Sequence, residues 1–129
     1  MVFLFIATFM KSSSYKDLLV WQRSIDLVSD IYKLTEKFPR SESYGLSSQM
    51  QRAAVAIPSN IAEVASRESN KEFLRFLFIS QGSISELDTQ LLIASNLTFL
   101  SNEDYLLIAE KLISIRKMLA GLIKFRKGK

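Results

Sequence analysis

Residues 69–96 read SNKEFLRFLFISQGSISELDTQLLIASN, and their apolar spacing decides the fold. Phe73, Leu77, Ser80, Ile84, Leu87, Leu91 and Ala94 follow one another at intervals of 4, 3, 4, 3, 4 and 3. That alternation is a heptad seam, the pattern of a helix packed lengthwise against other helices. Ser69 and Glu72 form a capping box just before it: the Ser hydroxyl takes a backbone N–H, and the Glu side chain reaches back. The spacing predicts a helix to about Asn96, roughly 40 Å long at ~1.5 Å per residue.

The neighbouring segments repeat the theme. After it, Ser101 is an N-cap with Asp104 at the third helical position, and Ile108, Leu112, Ile115, Leu119 and Leu122 carry the same 4, 3 pattern. That helix ends near Arg126 and Gly128. Before it, Leu46, Met50, Ala53, Ile57 and Ile61 mark a helix from about Tyr44 to Ala65. Pro58 lies inside, where it removes a backbone donor and predicts a kink; the alternative is a break at Ile57. Periodicity continuing through Ile61 favours the kink. The first helix spans about Leu18 to Lys37, with Trp21, Ile25, Val28 and Tyr32 as its apolar face and Leu27, Ile31 and Leu34 as a second stripe. Asp17 is its expected N-cap, and Pro39 stops it after Phe38. Short connections force neighbours to run antiparallel. The expected fold is therefore all-α, an up-down-up-down antiparallel four-helix bundle over residues 15–127. No strand alternation or Asn-Gly hairpin turn competes with it.

Residues 1–14 stand apart as an N-terminal extension. Met1 to Met10 is almost wholly apolar, yet too short to span a bilayer as a helix, and it lacks the basic leader and cleavage site of a secretory signal. The favoured reading is a mis-called start, with translation beginning at Met10. The alternatives are an extra packed or interfacial segment, or a targeting signal.

Composition narrows the chemistry. The 129 residues include no Cys and no His. Disulfides, thiolate nucleophiles and zinc-thiolate sites are out, and a reducing, cytoplasmic setting is expected. Without His, the usual base near neutral pH, the usual metal ligand and every Ser-His arrangement are missing too. Glu63 and Glu86 could form a carboxylate pair, but no partner gives either a task. No enzymatic activity, cofactor or metal site is expected.

Charge is unevenly spread. After Glu110 come seven basic residues and no acidic one: Lys111, Arg116, Lys117, Lys124, Arg126, Lys127 and Lys129. The chain up to Glu110 holds ten basic and thirteen acidic residues, a balance of −3. On helical projection Arg116, Lys117, Lys124 and Lys127 share an arc of roughly 100°. This is either a solvated face that complements the helix dipole or a phosphate-binding stripe, with Lys111, Arg116, Lys117, Lys124, Arg126 and Lys127 as the candidate residues. Few aromatic residues accompany the stripe in sequence, so base stacking is expected to contribute little.

Apolar residues remain after the seams are filled. Leu74, Phe78 and Leu92 fall together roughly 120–160° from the seam of their helix, and Leu107, Met118 and Phe125 roughly 90° from theirs, with Leu106 and Ile113 behind. They either broaden the core-facing side or pack against other subunits; the second reading is preferred and makes them the expected oligomer interface. Polar residues inside helices, among them Gln49, Arg52, Asn60, Glu63, Ser83 and Glu86, are expected to form satisfied pairs between helices that fix their register.

Several motifs then occur in order: Asp17-Leu-Leu-Val-Trp21-Gln22, Ile31-Tyr32, Phe38-Pro39, Tyr44-Gly45-Leu46-Ser-Ser-Gln49, Arg52-Ala-Ala, Ile57-Pro58-Ser-Asn60-Ile-Ala-Glu63 and Gly82-Ser83-Ile-Ser-Glu86-Leu87. From about Tyr15 to Phe125 the chain resembles the bacterial four-helix-bundle proteins encoded in intervening sequences of large-subunit (23S) ribosomal RNA genes. The accessory variability determinant of diversity-generating retroelements belongs to the same group. The resemblance implies a ring-shaped homopentamer without enzymatic activity. By the same resemblance, the partners are other copies of the chain, nucleic acid held on a basic surface, and a reverse transcriptase; no membrane is implied. Trp21, Gln49, Arg52, Asn60, Glu63, Ser83 and Glu86 are its motif residues here. One departure stands out: Val64 replaces the Gly that usually follows the Asn-Ile-Ala-Glu run, so this helix is expected to run further. Two functions compete, a nucleic-acid-binding oligomer and a structural or protein-interaction ring. The position of the gene, inside a ribosomal RNA gene or beside a reverse transcriptase, separates the branches of the group.

Overall fold

The structure, a computed structural model, describes residues 14–128. The apolar segment around Met10 lies outside them. Four α-helices follow in order: α1 (Leu19–Thr35), α2 (Leu46–Val64), α3 (Asn70–Asn96) and α4 (Asn102–Lys127), with 3-10 turns at Tyr15–Asp17 and Arg40–Glu42. No strand occurs among the described residues. Each helix packs on its chain neighbours, and α1 closes the bundle against α4. One end therefore gathers the start of α1, the α2–α3 turn and the end of α4. The other gathers the α1–α2 connection and the α3–α4 turn.

The seams of α3 and α4 are those the spacing predicts. All seven predicted α3 positions are buried, as are Ile108, Leu112, Ile115, Leu119 and Leu122 of α4. Ser80 can sit among apolar residues because its Oγ donates to the Ile57 carbonyl of α2 at 3.0 Å, which satisfies the hydroxyl across the α2–α3 contact. Truncating a fully buried member such as Leu87 to Ala leaves a cavity in such a seam, a change that typically costs about 2–5 kcal/mol.

Three local expectations are corrected. In α1 the buried residues are Val20, Ser24, Leu27, Ile31, Leu34 and Thr35, whereas Ile25 and Tyr32 are exposed and Trp21 and Val28 are half-buried. The second stripe faces the core because Ser24 and Thr35 satisfy themselves on backbone carbonyls, at 2.8 Å to Trp21 O and 2.8 Å to Ile31 O, and can be buried. Asp17 is not the cap: it belongs to the 3-10 turn, and α1 begins after Leu18 with no side-chain cap. Trp21 against Tyr15, 5.4 Å between ring centroids, and Gln22 Nε2 donating to Lys16 O at 2.9 Å hold that entry instead. Val64 does not extend α2; it is the last helical residue and plugs the core. The helix is continuous across Pro58, as its periodicity predicts.

Both expected serine N-caps form. Ser69 Oγ accepts from Glu72 N at 3.2 Å, and Ser101 Oγ from Asp104 N at 3.1 Å. Glu72 does not reach back to complete the box; its carboxylate takes the Arg75 guanidinium, with Nε at 2.9 Å. The hydrogen bond from Arg75 is the main cause that holds the Glu72 carboxyl below its ordinary value. A carboxyl lowered this way favours the fold above its unfolded pKa and loses that contribution as pH falls through the folded one.

The α3–α4 turn carries a strained residue. Thr98 has φ +61°, the only positive φ at a non-Gly residue among those described. It occupies the position after the C-cap of α3 in a Schellman turn: Phe99 N donates to Ala94 O at 2.9 Å and Thr98 N to Ser95 O at 3.0 Å. A β-branched residue is costly in that left-handed conformation. Thr98→Gly is expected to raise stability by about 1 kcal/mol in a denaturant melt; a destabilised variant would contradict the strain.

Candidate nucleic-acid interface

The charges of α4 sort themselves by what lies beside them. Lys111 donates its Nζ to Asp30 Oδ2 of α1 at 2.6 Å, and the pair is partly buried. It ties the thin α1–α4 side of the bundle, so its charge is locally compensated by a carboxylate. Arg116 leans toward α3, its Nη1 donating to Ser85 Oγ at 3.2 Å. Arg126 lies flat on Phe73 of α3, 4.1 Å from guanidinium carbon to ring centroid. Lys127 holds its Nζ 5.2 Å from the ring centroid of Phe78. Lys117 and Lys124 are exposed and make no ion pair with the described residues. Lys117, Lys124 and Lys127 thus present free positive charge toward the C-terminal end of α4, where cations also complement the helix dipole.

Sequence reasoning missed what the α2–α3 turn and α3 bring to the same end. Arg67 and Arg75 each place a guanidinium 4.5 Å from the Phe76 centroid. Arg67 pairs with Glu63, and Arg75 with Glu72, so these two cations are locally neutralised. Lys71 in the first turn of α3 is exposed and makes no such pair. The cationic end therefore carries Phe73, Phe76 and Phe78 beneath or beside four of its charges. The expectation of few aromatic neighbours fails here. It considered the stripe along α4 alone, whereas the antiparallel arrangement lays the end of α4 against the start of α3. The signal was present in residues 73–78, where three Phe fall within six positions.

The motif polar residues do not bridge helices. Gln49, Arg52, Glu63 and Glu86 are exposed; Asn60 donates to Ala56 O at 2.7 Å and Ser83 to Ile79 O at 3.2 Å, each within its own helix. Trp21 is half-buried on the core. Between α1 and α2 the bridging polar contact is Gln51 Nε2 to Thr35 Oγ1, at 3.0 Å. Glu63 and Glu86 do not pair with each other. Among the described residues no group of three or more Asp or Glu could hold a metal ion.

The apolar surplus divides in two. Leu74, Met118 and Phe125 are partly buried and pack against the core. Phe78, Leu92 and Leu107 stay exposed, joined by Leu106, at 61%, and Ile113, at 53%. Leu106 and Ile113 lie two turns apart on the outer side of α4, in its N-terminal half. Lys117, Lys124 and Lys127 occupy its C-terminal half. A groove of about 360 Å³ between α1, the Pro39 turn and α2, lined by Tyr32, Thr35, Arg40, Ser47 and Gln51, lies at the end away from the cationic one. No helix among the described residues is long and apolar enough to cross a membrane.

Comparison with known proteins matches the chain to a family and to solved structures. The family of 23S rRNA-intervening sequence proteins matches residues 16–121. A crystal structure of a protein of unknown function from the S23 ribosomal protein family of Bacteroides thetaiotaomicron is similar to the chain with a TM-score of 0.74 and 24% identity, covering 82% of this chain and 99% of that one. At that identity the likeness is one of fold. No curated protein matches the chain.

Proposed function

The chain belongs to the family of 23S rRNA-intervening sequence proteins, and on that premise we propose that it is a non-catalytic, cytoplasmic homo-oligomer whose cationic end binds nucleic acid. The observation that carries this reading is the trio Lys117, Lys124 and Lys127, without carboxylate partners among the described residues, on one half of α4 while the other half of the same surface is apolar. Positive charge without local compensation attracts phosphates and gains from release of their counterions. An apolar stripe of Leu106 and Ile113, with Leu92 of α3 nearby in register, favours burial against other copies, five by family resemblance. Symmetry then repeats a weak cationic site around the assembly, and linked sites raise the effective concentration for each next contact.

Anisotropy titrations of labelled RNA and DNA oligonucleotides at low salt test the reading. Both are expected to bind with little sequence preference, since contacts to phosphates carry no sequence information. Absence of binding to either at low salt would favour the other reading, a ring built only for protein contacts.

A further inference from the structure

We propose that Phe78 is a stacking platform for an unpaired base, which makes the cationic end of the bundle selective for single strands over duplex. The inference rests on the nucleic-acid reading above and assigns a specific contact within it. Three Phe of α3 sit at this end, and two are already committed. Phe73 is buried under Arg126. Phe76 carries the guanidinium groups of both Arg67 and Arg75, whose charges are taken up by Glu63 and Glu72. Phe78 differs on both counts. It is 43% exposed, and its cationic neighbour, Lys127, has no carboxylate partner among the described residues.

Its surroundings suit a nucleotide. Lys71 precedes Phe78 by seven residues, so it lies on the same side of α3 about 10 Å away along the axis. Lys124 precedes Lys127 by one turn on α4. A ring beside the Lys127 ammonium, with Lys124 and Lys71 further along the two helices, offers a π-face to a base and charge to the phosphates on either side of it. Every base has a π-face, so such a platform is tolerant of sequence, but a base held in a duplex cannot reach it. An interface between copies would instead have to strip the lysines from around the ring, which sets Phe78 apart from Leu106 and Ile113.

The test compares three probes on the full chain by anisotropy: a single-stranded oligonucleotide, the same backbone with abasic sugars, and the corresponding duplex. The single strand is expected to bind on the order of tenfold to a hundredfold more tightly than the abasic strand, the range that loss of base–aromatic stacking gives. Phe78→Leu should erase that preference and leave abasic binding unchanged, while Phe78→Tyr should keep it. A fluorescent base analogue in the strand should be quenched on binding the parent and not the Leu variant. Circular dichroism confirms the fold of both variants. If the parent binds base-bearing and abasic strands equally, or the Leu variant keeps the preference, the stacking platform is wrong and the charge-based reading survives. If the parent binds none of the three, both fail together.

Discussion

Replacing Lys117, Lys124 and Lys127 by Glu is expected to abolish nucleic-acid binding while the helical signal and the oligomer persist. The three side chains are exposed, and none ties one helix to another through an ion pair. Reversal removes three positive charges per subunit and adds three negative ones beside the phosphates. Each lost phosphate contact removes a share of counterion release, and the new charges repel what remains. A fall of at least a hundredfold at low salt follows, multiplied wherever several subunits hold one strand. Some loss of stability accompanies it. Acidic residues in the last turn oppose the helix dipole by about 0.3–1 kcal/mol each, and Lys127 leaves Phe78 at a cost of about 0.5–1 kcal/mol. Those amounts lower a melting temperature by a few degrees without unfolding a bundle. A Gln version of the triple change separates the effects, since it removes the charge without opposing the dipole. Unaltered binding by the Glu variant would make the stripe a solvated face and pass the function to protein contacts.

The second large effect concerns assembly. Changing Leu106 and Ile113 together to Asp is expected to yield a monomer near the chain mass of 14.7 kDa by light scattering after size exclusion. Both residues are more than half exposed in the single chain. Covering that remaining apolar area in an interface is worth roughly 1–1.5 kcal/mol for each, at about 25 cal/mol per Å². Two such residues give about 3 kcal/mol per contact, or about two orders of magnitude in association. A buried, unpaired carboxylate at each site adds a further penalty. Neither position touches the core, so the monomer should keep its helices. A parent protein already near 15 kDa at micromolar concentration would end the assembly proposal, and an assembled double variant would move the interface elsewhere.

How much could be read beforehand depended on whether the information lay within one helix. The heptad of α3 and the matching pattern of α4 are single-helix signals, and their apolar positions are the buried ones. The Ser69 and Ser101 caps are local too, and both form. In α1 two apolar stripes lie side by side, and neighbouring helices choose between them. The chosen stripe includes Ser24, which periodicity alone counts against a core position. The candidate site suffered more, because its properties arise between helices. Lys111 is neutralised by Asp30, 81 positions earlier in the chain. Arg126 and Lys127 find Phe73 and Phe78 only once α4 runs back along α3. Projecting one helix at a time counts the charges correctly and cannot say which of them are already occupied. Likewise Gln49, Arg52, Glu63 and Glu86 read as pairing between helices, yet they face solvent in the single chain. Their exposure on α2 and α3 leaves that face available to other copies.

The salt dependence of binding tests the central claim most directly. The equilibrium constant for a single-stranded oligonucleotide is measured by anisotropy across a series of salt concentrations, for the parent and for the variant with Lys117, Lys124 and Lys127 replaced by Gln. Each neutralised phosphate contributes about −0.7 to the slope of log K against log salt for a single strand, so three lysines predict a slope of about −2 or steeper. The Gln variant should lose about 2 from that slope. A flat salt dependence in the parent, or a slope the variant leaves unchanged, would contradict a phosphate-binding role for these lysines.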